Sequence, residues 1–98
     1  MKTRIFGKTN AVVSEVGLGC WQFGGDWGSV TNDECLATLN TAADAGVTFI
    51  DTADVYGAGH SEEMVGRFLK DRNRDDFFVA TKLGRLHGYP DSYSLDLF

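Results

Sequence analysis

Val47-Thr48-Phe49-Ile50-Asp51 is the stretch on which the fold turns: three β-branched residues and an aromatic, closed by a carboxylate. Such a run suits the pleated surface of a buried strand, and Asp51 stands at its carboxyl end. Ahead of it, Thr31-Asn32-Asp33-Glu34 has the form of a capping box, a hydroxyl followed three residues later by Glu. Cys35, Leu36, Leu39, Ala42 and Ala43 then recur on one helical stripe, and Gly46 stands where a C′ glycine ends a helix. Behind Asp51, a polar, glycine-bearing loop over 52–60 leads to a second helical pattern. Ser61 is placed to cap it, Met64, Val65, Phe68 and Leu69 form its apolar stripe, and Arg67, Lys70 and Asp71 face water. Phe77-Phe78-Val79-Ala80 repeats the strand pattern and is followed by Thr81-Lys82.

Toward the N-terminus, Val16-Gly17-Leu18-Gly19 reads as a short buried strand opening into a loop rich in glycine and tryptophan, residues 21–28. Residues 3–6 and 11–14 are short apolar runs joined by Gly7-Lys8-Thr9-Asn10, a hairpin link. Beyond Lys82, residues 84–90 read as loop and 92–98 as the opening of another helix. The order is hairpin, β, α, β, α, β, then the start of a helix, which predicts an α/β fold built from parallel βαβ units. A parallel sheet needs both faces covered or a closed barrel, and 98 residues provide neither. A (β/α)8 barrel takes about 250 residues. The expectation is therefore one domain segment, residues 1–98, forming the N-terminal part of a (β/α)8 TIM barrel. Its inner face would be drawn from Val47, Phe49, Phe77 and Val79 or their neighbours. Alone, such a piece is expected to be aggregated, swapped or molten.

Composition excludes several classes of function. Nine Lys+Arg against fourteen Asp+Glu give a net charge of −5, the wrong sign for a nucleic-acid binder. The densest basic stretch, Arg67 to Arg74, is interrupted by Asp71 and followed by Asp75 and Asp76. No apolar run approaches the roughly 18 residues of a membrane span, and no apolar h-region follows the basic start, so a cytoplasmic location is expected. Two cysteines, Cys20 and Cys35, make a poor disulfide framework and carry no zinc spacing, so reduced thiols and no metal site are expected.

Gly17-Leu18-Gly19 followed by Gly24 approaches a dinucleotide fingerprint, but the third glycine is misplaced and a loop follows where a helix should start. Glycines there also suit a sharp turn, or backbone that a ligand must approach closely. Asp51 and Lys82 are more informative. Each is charged and sits at the carboxyl end of an apolar strand, where α/β sites lie, and neighbouring strands run about 4.8 Å apart. Tyr56 follows Asp51 in the same loop, and an ammonium beside a tyrosine favours phenolate, making the residue a candidate proton donor to a carbonyl oxygen. His60 and His87 are both in expected loops, where a surface role is the commoner one. Trp21 is read equally as core or as pocket wall, and Trp27 as core.

These residues resemble the aldo-keto reductase family. Residues 46–57, from Gly46-Val47-Thr48 through Asp51 to Tyr56-Gly57, are similar to its catalytic signature. Gly59-His60-Ser61-Glu62-Glu63-Met64-Val65-Gly66 is similar to the segment that follows it, in the form found in general reductases and potassium-channel β subunits. Val79-Ala80-Thr81-Lys82-Leu83-Gly84 resembles its catalytic lysine strand, and the hairpin and Leu18-Gly19-Cys20-Trp21 also match. The resemblance implies a barrel that reduces an aldehyde or ketone with NADPH. Tyr56 would be the general acid, Lys82 its electrostatic assistant and Asp51 the partner that holds Lys82. Gly19, Cys20, Trp21 and Asp51 would border the nicotinamide end of the cofactor, and Trp21 and Tyr56 would line the substrate pocket. The family's histidine at the end of the fourth strand falls beyond residue 98, so the 98 residues alone are expected to be inactive. Two other readings remain open: a non-catalytic cofactor-binding regulatory subunit, and a Schiff-base lyase barrel using Lys82.

Overall fold

In the computed structural model, residues 1–25 and 28–84 are described. Trp27, His87 and the helix expected over 92–98 lie outside them. The first helix, α1 (Asn32–Asp44), starts where the capping pattern places it: Thr31 is the N-cap, and its Oγ1 accepts the Glu34 N–H. The second half of the box differs, because the Glu34 carboxylate receives the Thr31 hydroxyl at 3.1 Å rather than turning back to the backbone. At the other end Gly46 takes φ +100°, its N–H bonds Ala43 O, and the Val47 N–H bonds Ala42 O. That pair of bonds is the Schellman pattern, which only a residue tolerant of positive φ completes easily.

The N-terminal hairpin pairs β1 (Thr3–Ile5) with β2 (Val12–Ser14), antiparallel, through a 3-10 turn at Gly7–Thr9. Three parallel strands follow: β3 (Gly17–Gly19), β4 (Phe49–Asp51) and β5 (Phe78–Ala80), in the order β3-β4-β5. Helix α1 connects the first two and α2 (His60–Lys70) the second pair. Register aligns Gly17 with Phe49 and Phe78, Leu18 with Ile50 and Val79, and Gly19 with Asp51 and Ala80.

This register sorts the two faces. Leu18, Ile50 and Val79 pack toward the helices, in a core with Cys20, Phe23, Cys35, Leu39, Met64, Val65 and Phe68. Truncating Leu39 or Met64, each 1% exposed, to alanine in such a core costs about 2–5 kcal/mol. Phe77 also turns to the helix side, edge-on to Phe68 at 5.2 Å. The opposite face carries Phe49 and Phe78, stacked at 5.4 Å, with Phe6 of the hairpin edge-on to both at 5.2 Å. The inner-face expectation therefore holds for Phe49 and is corrected by one residue on β5. Phe78 faces inward and Phe77 and Val79 do not, because a period of two puts every second side chain on the other face. Hairpin and sheet are tied by a reciprocal pair of 2.9 Å bonds between Ser14 and Thr48.

Helix α2 starts earlier than expected and without a side-chain cap. Its N-cap is Gly59 at φ +99°, and its first N–H groups are taken by loop carbonyls, His60 N by Gly57 O and Ser61 N by Tyr56 O. Ser61 is not a cap but a fully buried residue on the apolar stripe. The loop already satisfies the amides a cap would serve, so its hydroxyl is committed elsewhere.

Candidate active site

The carboxyl ends of β4 and β5 place Asp51 beside Ala80, and two residues further along the same face comes Lys82. Its ammonium donates to Asp51 Oδ1 at 3.1 Å and Oδ2 at 3.3 Å, to the Thr52 carbonyl at 2.9 Å, and to the Tyr56 hydroxyl oxygen at 3.3 Å. An ammonium has three N–H groups and no acceptor, so carboxylate, carbonyl and phenol together engage all three. Partial burial pulls the Lys82 pKa down, but the hydrogen bonds and charges of Asp51 and Tyr56 outweigh it and leave the value raised. Lys82 is therefore held as a cation. The pair is not deeply buried, since the Lys82 and Asp51 side chains are 41% and 43% exposed.

Tyr56 is brought to Lys82 by the loop between β4 and α2. Its N–H bonds Ala53 O, its carbonyl takes the Ser61 N–H, and its ring lies 5.1 Å from the Lys82 Nζ, within cation–π range. Because Lys82 can only donate, the Tyr56 oxygen accepts, and its own proton points away from the ammonium. The Trp21 ring lies 6.4 Å from that of Tyr56, tilted by 30°, and is 46% exposed. Trp21 belongs to a 3-10 turn, Trp21–Gly24, whose Phe23 is buried; this segment was expected to be loop. Gly24 of that turn lies against the Tyr56–Gly57 peptide so closely that a Cβ would sit 2.5 Å from Gly57 N.

Of the other residues singled out, Gly19 lies in register with Asp51, and a Cβ there would meet no atom within 4 Å. Among the described residues the space over this strand end is open. The Cys20 side chain is fully buried; burial first, and then the Asp51 charge, pushes its thiol up to about 12. The Cys20 backbone is buried with the side chain, and both of its polar groups are engaged. Its N–H bonds Asp51 O and its carbonyl accepts from Ser61. His60 opens α2, 3.9 Å from Glu63. The structure thus brings Asp51, Tyr56, Lys82 and Trp21 together, with Gly19 alongside. Thr52, Ser61 and Gly24 are additional. Ser61 was legible in principle, because with Met64, Val65 and Phe68 it completes an i, i+3, i+4, i+7 buried stripe.

A family model described as aldo/keto reductase family matches residues 15–96. The chain belongs to this family. It is 43% identical over 76 residues to the aldo-keto reductase YhdN of Bacillus subtilis, covering 76% of this chain and 23% of that protein. The holo form of an aldo-keto reductase from Bacillus halodurans superposes with a TM-score of 0.76 at 34% identity, over 95% of this chain and 30% of that one. An aldo-keto reductase from Klebsiella pneumoniae solved in complex with NADPH gives a TM-score of 0.70 at 35% identity, over 84% of this chain and 28% of its own. The chain spans about a quarter of the length of the curated relatives it matches. The hairpin and the βα units are the N-terminal portion of an aldo/keto reductase (β/α)8 barrel. Among the described residues no helix is long and apolar enough to cross a membrane.

Proposed function

We propose that this segment carries the proton-transfer half of an NADPH-dependent carbonyl reductase, with an aldehyde or ketone as substrate and the rest of the barrel completing the site. The observation that carries this reading is the single ammonium of Lys82 engaging Asp51, Thr52 O and the Tyr56 hydroxyl at once. In this reading a substrate carbonyl oxygen sits at the Tyr56 hydroxyl, on the side its proton faces. Tyr56 donates that proton as negative charge develops on the oxygen. Lys82, held cationic, stabilises the phenolate left behind, and Asp51 fixes Lys82 and balances its charge. Solvent then returns a proton to Tyr56.

NADPH, when bound, supplies the hydride for the carbonyl carbon. The residues fit its nicotinamide end: the open strand end at Gly19 would give a flat ring room, with Asp51 and the exposed Trp21 ring at its border and the buried Cys20 behind them. Trp21 and Tyr56 form the adjoining wall for the substrate. A Schiff-base role for Lys82 is disfavoured, because a nucleophilic lysine needs a lowered pKa and this one is raised. The intact set of Asp51, Tyr56 and Lys82 favours chemistry over cofactor binding alone.

The test is Tyr56→Phe in the complete barrel protein carrying this segment, assayed by NADPH oxidation with a panel of aldehydes and ketones. Turnover is expected to fall by about 10²–10⁴-fold, the usual contribution of a general acid, with NADPH affinity within about twofold of the parent. Turnover within a few-fold of the parent overturns the assignment.

A further inference from the structure

The first turn of α2 holds a serine where its stripe calls for an apolar residue. Ser61 is 0% exposed and Thr52 is 2% exposed, and alanine has the better helix propensity for such a position. The Ser61 hydroxyl donates to Cys20 O at 2.9 Å and lies 2.7 Å from Thr52 Oγ1. A hydroxyl has one proton, and a carbonyl has none to give. The order is therefore forced: Thr52 Oγ1–H donates to Ser61 Oγ, and Ser61 Oγ–H donates to Cys20 O. The Ser61 backbone N–H bonds Tyr56 O at 3.1 Å.

We propose that Ser61 is a positioning residue for the proton-transfer step, its hydroxyl holding Thr52 and Cys20 in one arrangement while its backbone N–H holds the Tyr56 carbonyl; this rests on Tyr56 being the proton donor. Each partner leads to the site. Tyr56 carries the phenol, the Thr52 carbonyl takes one of the three Lys82 N–H groups, and Cys20 precedes Trp21 and bonds the Asp51 carbonyl through its N–H. Adjacent Glu62 ties in the third strand end, accepting from Thr81 Oγ1 at 2.7 Å beside Lys82. The α2 turn thus spans the carboxyl ends of β3, β4 and β5. In a low-dielectric interior a saturated chain of hydroxyls is rigid, and breaking one link leaves the others unpaired. The consequence is a looser Thr52, whose carbonyl helps hold Lys82 against the Tyr56 hydroxyl, rather than a lost binding surface.

The experiment is Ser61→Ala in the complete barrel protein, with kcat expressed per NADPH-binding site so that unfolded protein does not count. A fall in kcat of about tenfold is expected, with KM and NADPH Kd within about twofold. A lowered melting temperature with kcat per site unchanged makes Ser61 merely structural and overturns the proposal. Should Ser61→Ala not fold, the near-isosteric Thr52→Val is judged by the same split. A fall in kcat of threefold or more supports the proposal, and unchanged kcat overturns it. Tyr56→Phe run in parallel separates the two readings. If it stays active, the proton-donor assignment fails and the proposal falls with it. If it is inactive while Ser61→Ala keeps full kcat, only the positioning role is lost.

Discussion

Replacing Gly24 by alanine tests the packing that sets Tyr56 in place. The new Cβ would lie 2.5 Å from Gly57 N, 2.8 Å from the Tyr56 carbonyl carbon and 3.2 Å from Gly57 Cα. All three are backbone atoms, so no side chain can swing aside. Opening the shortest gap to an ordinary 3.4 Å contact moves the Tyr56–Gly57 peptide by about 0.9 Å. Overpacking of this kind costs about 1–3 kcal/mol. The smaller entropy of the unfolded alanine chain returns about 0.4–1 kcal/mol, leaving a net loss of roughly 0–2.6 kcal/mol, centred on about 1.3 kcal/mol. The catalytic effect should be larger in proportion, because a misplacement near 1 Å can cost about 10²-fold. Urea unfolding and NADPH-dependent carbonyl reduction of the complete barrel protein measure the two effects. We expect kcat to fall about 10- to 100-fold, with NADPH affinity within a few-fold of the parent. Stability within 0.5 kcal/mol together with kcat within threefold would refute the reasoning, since the loop would then have room that the structure denies it.

Two further outcomes follow from the same geometry. Lys82 has a folded pKa above its ordinary 10.5, so its ion pair stabilises the fold fully below that pH and loses the contribution as pH rises through the folded value. The stability difference between parent and Lys82→Met should be flat from neutral pH to about 10 and shrink above it; with both side chains two-fifths exposed it should not exceed about 1 kcal/mol. Urea titrations across this range check it, and a difference that widens above 10.5 contradicts it. The 98 residues expressed alone should associate. The outer edges of β3 and β5 have no strand partner among the described residues, and Ile5, Val12, Val16 and Leu83 are each more than half exposed. Sedimentation of a monodisperse 10.7 kDa monomer with a cooperative melt would contradict this.

The alternation of elements, the start and end of α1 and the helix stripes were all legible in the sequence, because they depend on local chemistry. A cap, a C′ glycine and a 3.6-residue period act within a few residues of themselves. The placement of Asp51 and Lys82 was legible for a related reason: a charge closing an apolar strand must sit at the strand end. Which face Phe78 takes, and that Phe77 and Val79 take the other, depended on a one-residue register that only pairing with β4 sets. Ser61 was misread as a cap because its residue type suits a helix start, and nothing local reveals that Tyr56 O and Gly57 O already serve the first amides of α2. Gly24 and Gly57 meet across 33 residues of chain, so their contact has no signature in either neighbourhood. The sequence by itself determined which elements form and which charged and phenolic groups reach the strand ends. The tertiary structure decided how those groups are held, because the hydroxyl chain, the glycine contact and the three acceptors around Lys82 are all made between segments far apart in sequence.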